Sequence, residues 1–553
     1  MLKVKPLSTS QFTLLLALYF LLVINVPLTT RLVGILENTE AVPLGMVLSL
    51  PLFFGSLFYI LFSCVTFRYV IKPISVALVL VSSLVSYAMY YYGTVFDMDM
   101  IRNIAETHSG EARSYLNSNV VVWWLATGLM PAALIVAIPL ESKPFVRELL
   151  SKASTVLIAF LVIGGIAGLY YKDYASLGRN NSYLNKLIIP TQYLYSAGRY
   201  VKKTLAPPRA HQSLGKDARV ADADGRQKPR LLVMVVGETA RAKNFELNGY
   251  PRPTNEFTRG LGLVSFKQMQ SCGTATAVSV PCMFSRDDRA TYDPDLAKTQ
   301  DNLLDVMTHA GINIRWLEND GGCKGVCKRV STLEFDQSLK IPACDGEYCR
   351  DEVLLPNLEQ ELIALQGGDA VLVLHLVGSH GPTYYQRYPE TFRKFSPDCP
   401  RSDIQNCTDR EIVNSYDNTI HYDDYILSQV ISLLERQPHW QSSLLYVSDH
   451  GESLGENGMY LHGMPYAFAP EEQTQIPMLL WMSPEFSATS GYNRGCIEQK
   501  ADQESFSHDN LFDSVLGLMQ VTTEQYRPEL DVLSTCQKHP VVAQTLGSPA
   551  VQG

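Results

Sequence analysis

Four short stretches put carboxylates and imidazoles where apolar runs stop. RLLVMVV leads into Gly237-Glu238-Thr239-Ala240-Arg241, AVLVLHLV into Gly378-Ser379-His380-Gly381-Pro382, and SSLLYVS into Asp449-His450-Gly451-Glu452. Tyr460-Leu461-His462-Gly463 supplies one more imidazole downstream. Taken singly, each has an ordinary structural explanation, such as a helix-capping carboxylate or a buried Asp-His pair. Taken together, they form an oxygen and nitrogen donor set suited to Zn²⁺ or a similar divalent cation. Three protein ligands from this set would still leave a position for a nucleophile.

A source for that nucleophile is SCGTATAVSVPCMFS, from Ser271 to Ser285, where Thr274, Thr276 and Ser279 lie between Cys272 and Cys282. A threonine or serine alcohol is a poor nucleophile at its own pKa. Coordination to a divalent metal favours the alkoxide and orients it. A disulfide between the two cysteines would hold the turn so that one of these hydroxyls meets the metal.

The elements that must deliver these groups are strands. RLLVMVV, AVLVLHLV and SSLLYVS lack the alternation of a half-exposed strand, as do NIRWLE and IPMLLWMS. Between them, DLAKTQDNLLDVMTHA and NSYDNTIHYDDYILSQVISLLER carry a helical pattern. Continuously apolar strands interleaved with amphipathic helices predict an α/β domain with a mainly parallel central sheet, here over 229–553. Ligands in such folds gather beyond the carboxyl ends of the strands.

The remainder of the 553 residues has a different character. Residues 1–171 are dominated by apolar runs, a division concealed by a mean hydropathy of zero. Phe12–Leu28, Leu44–Phe62, Ile74–Tyr91, Val120–Ile138 and Ala153–Tyr171 each approach the roughly 17–20 residues that a helix needs to cross a bilayer. The first run lacks a clear small-residue cleavage site and four more follow it, so it is read as a span and not as a signal peptide. With the N-terminus cytoplasmic, that side receives Lys3, Lys5, Arg68, Lys72, Lys143, Arg147 and Lys152, against Arg31, Arg102 and Arg113 opposite. Five spans then place everything after Tyr171 outside the cytoplasm. Residues 172–228 read as a helix lying on the membrane surface followed by a Pro- and charge-rich connector.

Ten of the eleven cysteines lie in the soluble part, mostly in close pairs, as suits an oxidising compartment. Pairing neighbours closes short loops at little entropic cost. That predicts 272–282, 323–327, 344–349 and 399–407, leaving Cys496 and Cys536 to each other by parity. Cysteine-bound zinc is the rival reading. A net charge of −9 gives no support for nucleic-acid binding.

VVGETARAKNFELNGYPRPT, SCGTATAVSVPCMFS, GSHGP and YVSDHGESLGENGMYLHGMPYAFAP resemble the lipid A phosphoethanolamine transferases. These are inner-membrane enzymes of the alkaline phosphatase superfamily associated with polymyxin resistance, and the resemblance extends over essentially the whole chain. It implies a five-helix transmembrane domain followed by a periplasmic catalytic domain, in a multi-pass bacterial inner-membrane protein that works as a monomer. It makes Thr276 the nucleophile and Glu238, Thr276, Asp449 and His450 the ligands of one zinc, with a second zinc possible. It assigns His380, His462 and Lys324 to the transferred phosphoryl group, and Asn103, Thr107 and Glu111 of MIRNIAETHSGEA to the donor lipid. These last three stand at steps of four and would share one face of a helix. Some relatives carry a further carboxylate ligand where this chain has Thr291, near Asp287 and Asp288, so the second site lacks an obvious ligand set.

The implied reaction moves phosphoethanolamine from phosphatidylethanolamine to a lipid A phosphate, lowering surface negative charge. Core oligosaccharide or another periplasmic glycan is the alternative acceptor. Sulfatase chemistry is disfavoured, because the nucleophile position reads Thr276-Ala277-Val278 where a C/S-x-P-x-R context is needed. An idle membrane-anchored scaffold would have lost part of the Glu238, Thr276, Asp449 and His450 set, and all are present.

Overall fold

The structure is a computed structural model. It describes residues 5–37, 43–65, 69–107, 112–113, 115–141, 144–207, 209–221, 227–335, 340–345, 349–365 and 367–538. The chain divides into two compact units, 1–101 with 116–204, and 102–115 with 205–553.

Among the described residues of the first unit, four helices are long and apolar enough to cross a membrane: Leu44–Ser63, Ile71–Tyr91, Ser118–Ala137 and Val146–Arg179. A helix pair, Thr9–Ile24 and Val26–Glu37, is also apolar enough when taken together, and it is bent by 61°. The sequence led us to expect a single run there, Phe12–Leu28. At the break, buried Asn25 donates from Nδ2 to Phe20 O and Ile189 O and accepts from the Ile189 N–H. Its amide thus ties the break to the Ile189 backbone and pairs both polar groups of that residue away from water. The expected boundary at 171 also differs from the structure. A helix runs Phe145–Asn180, changing direction at Tyr170 (φ −127°, ψ 21°) and continuing beyond the apolar run. Within the segment expected to hold a surface helix, a helix runs Thr191–Thr204.

The second unit is built on an eight-stranded sheet. In chain order its strands are β1 (Arg230–Gly237), β2 (Val264–Gln270), β3 (Asn313–Glu318), β4 (Ser331–Glu334), β5 (Ala370–His375), β6 (Gln441–Ser448), β7 (Gln475–Met482) and β8 (Ser505–Ser507). They lie in the order β8-β2-β7-β6-β1-β5-β3-β4. β6, β1, β5, β3 and β4 are mutually parallel, while β7 runs antiparallel to both of its neighbours. Every residue of β1, β5 and β6 is buried, which explains their unbroken apolar runs.

NSYDNTIHYDDYILSQVISLLER falls within one long helix, Asp409–Glu435, capped by Thr408 and Glu411. DLAKTQDNLLDVMTHA does not form one helix. Asn302 accepts from the Leu304 and Asp305 N–H groups and starts a separate helix, Leu303–His309, so local capping divides the pattern. Disulfides join Cys272–Cys282, Cys323–Cys327, Cys344–Cys349, Cys399–Cys407 and Cys496–Cys536, and Cys64 is free.

Candidate active site

Parallel register brings the strand ends together. Val236 of β1 pairs with His375 on one side and Val447 on the other, and Gly237 pairs with Ser448. Glu238 and the Asp449-His450 pair therefore leave neighbouring strands side by side, all three fully buried. The turn after β1 is tightly specified. Thr239, a β-branched residue, sits at φ 54°, and its carbonyl accepts from the Tyr416 hydroxyl. Opposite it, Gly378 adopts φ +47°, and a Cβ there would lie 2.8 Å from the Glu238 carbonyl oxygen. Glycine is required at that approach.

Asp449 Oδ1 accepts the N–H groups of Thr239 at 3.2 Å and His450 at 2.7 Å. Its Oδ2 lies 3.4 Å from His450 Nε2, and Glu238 Oε1 lies 3.7 Å from that same nitrogen. Both of these carboxylate oxygens are buried and, among the described residues, meet no donor group. The His450 Nδ1–H faces the Gly451 carbonyl at 3.0 Å, which leaves Nε2 as the lone-pair nitrogen. Burial holds His450 down at about 4, hence neutral at physiological pH. Burial, and then the charge of Asp449, push Glu238 well above the ordinary carboxylate range. Two dry carboxylates with orphaned oxygens beside a bare imidazole nitrogen are an arrangement that a divalent cation satisfies.

The three hydroxyls of the stapled loop separate cleanly. Thr274 Oγ1 donates to the Met464 carbonyl at 2.6 Å, and Ser279 Oγ donates to the Asp449 carbonyl. Thr276 alone turns to the cluster, donating to Glu238 Oε2 at 2.9 Å and lying 3.3 Å from His450 Nε2. It is the first residue of the helix Thr276–Met283, and the Cys272–Cys282 disulfide closes the loop around it.

His462 Nδ1 faces Glu452 Oε2 at 2.8 Å, and Glu452 Oε1 accepts from the Tyr384 hydroxyl at 2.6 Å. A carboxylate behind the imidazole fixes its orientation. The His462 ring lies 4.5 Å from that of His450 and 5.6 Å from that of His380. One ligand atom each from Glu238, His450 and His462 fall within 4.8 Å of one another. His462, expected at the phosphoryl group, is thus equally placed to ligate. Lys324 sits at φ 51° in the glycine-rich turn after β3 and lines a cavity of about 460 Å³ with Lys298, Lys328 and Ser285.

Other expectations fare differently. Asp288 pairs with Arg527 at 2.9 Å and Thr291 Oγ1 donates to the Asp288 carbonyl, so neither joins the cluster. Of the expected face Asn103-Thr107-Glu111, Asn103 lies in the helix Met98–Glu106, which ends one residue before Thr107. Thr107 Oγ1 bonds back to the Asn103 carbonyl at 2.8 Å. Glu111 lies outside the described residues.

The motif reading passed over a second buried set. His375, at the end of β5, places Nδ1 2.9 Å from Glu318 Oε2, and its Nε2 faces Asp320 at 3.7 Å. Burial opposes charge on His375, but Glu318 outweighs it and raises the imidazole to about 9. The folded value lies above the unfolded one, so the stabilisation is complete below about pH 6.5 and lost as pH rises through about 9. The expected gap in stability between the metal-stripped parent and His375→Gln is on the order of 3 kcal/mol near pH 6 and shrinks above pH 9. Denaturation across that range checks it, and a gap constant with pH would contradict it.

Comparison with known proteins gives two family matches, "Sulfatase" over residues 230–521 and "Phosphoethanolamine transferase EptA/EptB" over 54–205. Phosphoethanolamine transferase EptA of Escherichia coli (strain K12) is 40% identical over 544 residues, covering 97% of this chain and 99% of its own. Phosphatidylethanolamine transferase Mcr-1 of Escherichia coli is 34% identical, covering 88% and 90%. The solved integral membrane lipooligosaccharide phosphoethanolamine transferase A from Neisseria meningitidis matches with a TM-score of 0.93 at 38% identity, covering 97% of this chain and 100% of that one.

Proposed function

The chain belongs to the phosphoethanolamine transferase family of the alkaline phosphatase superfamily, and from that premise we propose that it transfers phosphoethanolamine from phosphatidylethanolamine to a lipid A phosphate through an ester on Thr276. The observation that carries this reading is the position of the Thr276 hydroxyl. It alone of the three loop hydroxyls is turned from backbone partners to Glu238 and His450.

Glu238, Asp449, His450 and Thr276 would hold a zinc ion, with His462 beside them. The ion would lower the pKa of the hydroxyl and offset charge on the phosphoryl oxygens. Thr276 Oγ1 attacks phosphorus, the bond from phosphorus to the glycerol oxygen breaks, and diacylglycerol leaves. The hydroxyl proton has an acceptor at Glu238 Oε2, 2.9 Å away. His380, His462 and Lys324 are assigned to the transferred group, where they would neutralise phosphoryl oxygens and protonate the leaving oxygen. A lipid A phosphate oxygen then attacks the ester and frees Thr276. Asn103, Thr107 and Glu111 are assigned to the donor head group. The catalytic unit would face the periplasm from the inner membrane, where both lipids are within reach and its disulfides persist.

The test uses the full chain in vesicles of phosphatidylethanolamine and lipopolysaccharide, which presents lipid A and core sugar together. Mass spectrometry is expected to find one phosphoethanolamine added to lipid A for each diacylglycerol released. Addition to core sugar alone would replace the acceptor, and no transfer to either would overturn the reading.

A further inference from the structure

We propose that His508 is a positioning residue that sets the distance between the threonine loop and the carboxylate end of β6, an inference that rests on Thr276 being the nucleophile. His508 belongs to none of the motifs that mark the site. It follows β8, whose last residue Ser507 pairs in parallel with Gln270, the last residue of β2. His508 therefore leaves the sheet beside Ser271 and Cys272, where the loop begins. It is 2% exposed, and the turn that carries it is fixed by a capping box between Ser507 and Asn510.

Both ring nitrogens are used. Nδ1 accepts the Cys272 N–H at 2.9 Å, and Nε2 lies 3.0 Å from the Ser448 carbonyl. Cys272 is one half of the disulfide that closes around Thr276, and Ser448 immediately precedes Asp449. A peptide N–H on one nitrogen and a carbonyl on the other select the tautomer protonated at Nε2. The planar ring is then a rigid strut from the nucleophile's loop to the strand end that delivers Asp449 and His450. The tie from Ser279 Oγ to the Asp449 carbonyl runs alongside it and leaves the loop entrance to His508. An asparagine reaches the Cys272 N–H but not Ser448, and a glutamine the reverse, so neither spans the gap.

The test compares the full chain with His508→Ala, His508→Asn and His508→Gln in the same vesicles. Turnover per folded molecule is expected to fall roughly a hundredfold in all three, the size that a small misplacement of reacting groups produces, with KM for the donor unchanged. Hydrogen exchange of residues 271–279 is expected to quicken about tenfold, while the helix Asp409–Glu435 keeps its protection. A role in stability alone would lower the melting temperature and leave kcat of the folded fraction intact, which would overturn the proposal. Unchanged exchange in 271–279 would also overturn it, whatever the activity. If the parent chain shows no transfer but the exchange quickens in His508→Ala, the functional reading fails and the strut stands.

Discussion

Thr276→Ala is expected to lower phosphoethanolamine transfer by about four orders of magnitude or more, the scale on which loss of a covalent nucleophile acts. The melting temperature should change little. The substitution removes one buried hydroxyl and one methyl at the start of a helix whose position is fixed by other means. The Cys272–Cys282 disulfide, the Thr274 bond to Met464 and the Ser279 bond to Asp449 all survive it. Thr276→Ser keeps the nucleophilic oxygen but loses the methyl that restricts its rotamer, so it should retain part of the activity. Single-turnover assays with equal amounts of folded protein check both. An alanine variant that still modifies its acceptor would place the nucleophile elsewhere.

The second large effect is expected from Asp449→Asn. Oδ1 is bound by two backbone N–H groups, so an isosteric amide must keep its oxygen there. Its NH₂ then occupies the place of Oδ2, the orphaned oxygen 3.4 Å from His450 Nε2. A donor replaces an acceptor where a cation would sit, and a charge is removed while the fold is kept. Bound metal should fall from about one equivalent to near zero, and transfer by at least about three orders of magnitude. Burial first, and then the charge of Asp449, raise Glu238 in the parent, so the variant should also titrate Glu238 lower. Elemental analysis after gel filtration decides the point: retained metal would remove Asp449 from the ligand set.

Much of this site can be read from one dimension because its groups follow fully buried strands. An apolar run without alternation marks such a strand, and the first polar residue after it must lie at the sheet end. Glu238, His380 and Asp449 are legible for that reason. The choice among Thr274, Thr276 and Ser279 is not legible from spacing, because it depends on which hydroxyl a distant carbonyl takes up. His375 with Glu318 and His508 with Cys272 are fixed by strand register across large sequence separations, which no local pattern records. The same limit explains the helix broken at Asn302 and the first span broken at Asn25. At Asn302 a side-chain amide satisfies backbone groups that periodicity would have left to a continuous helix, and at Asn25 one joins the break to the distant Ile189 backbone. The face predicted for Asn103, Thr107 and Glu111 is described only in part, since the helix ends at Glu106 and Glu111 lies outside the described residues.

The account turns on a covalent ester at one oxygen, and that ester is directly measurable. The full chain is mixed with phosphatidylethanolamine vesicles without acceptor, quenched in acid and digested with its disulfides intact. The disulfide-closed fragment spanning 271–285 should carry one added phosphoethanolamine, assigned by fragmentation to Thr276 and discharged when lipid A is supplied before quenching. Diacylglycerol release with that fragment unmodified, or with the group on any other residue, would contradict the account.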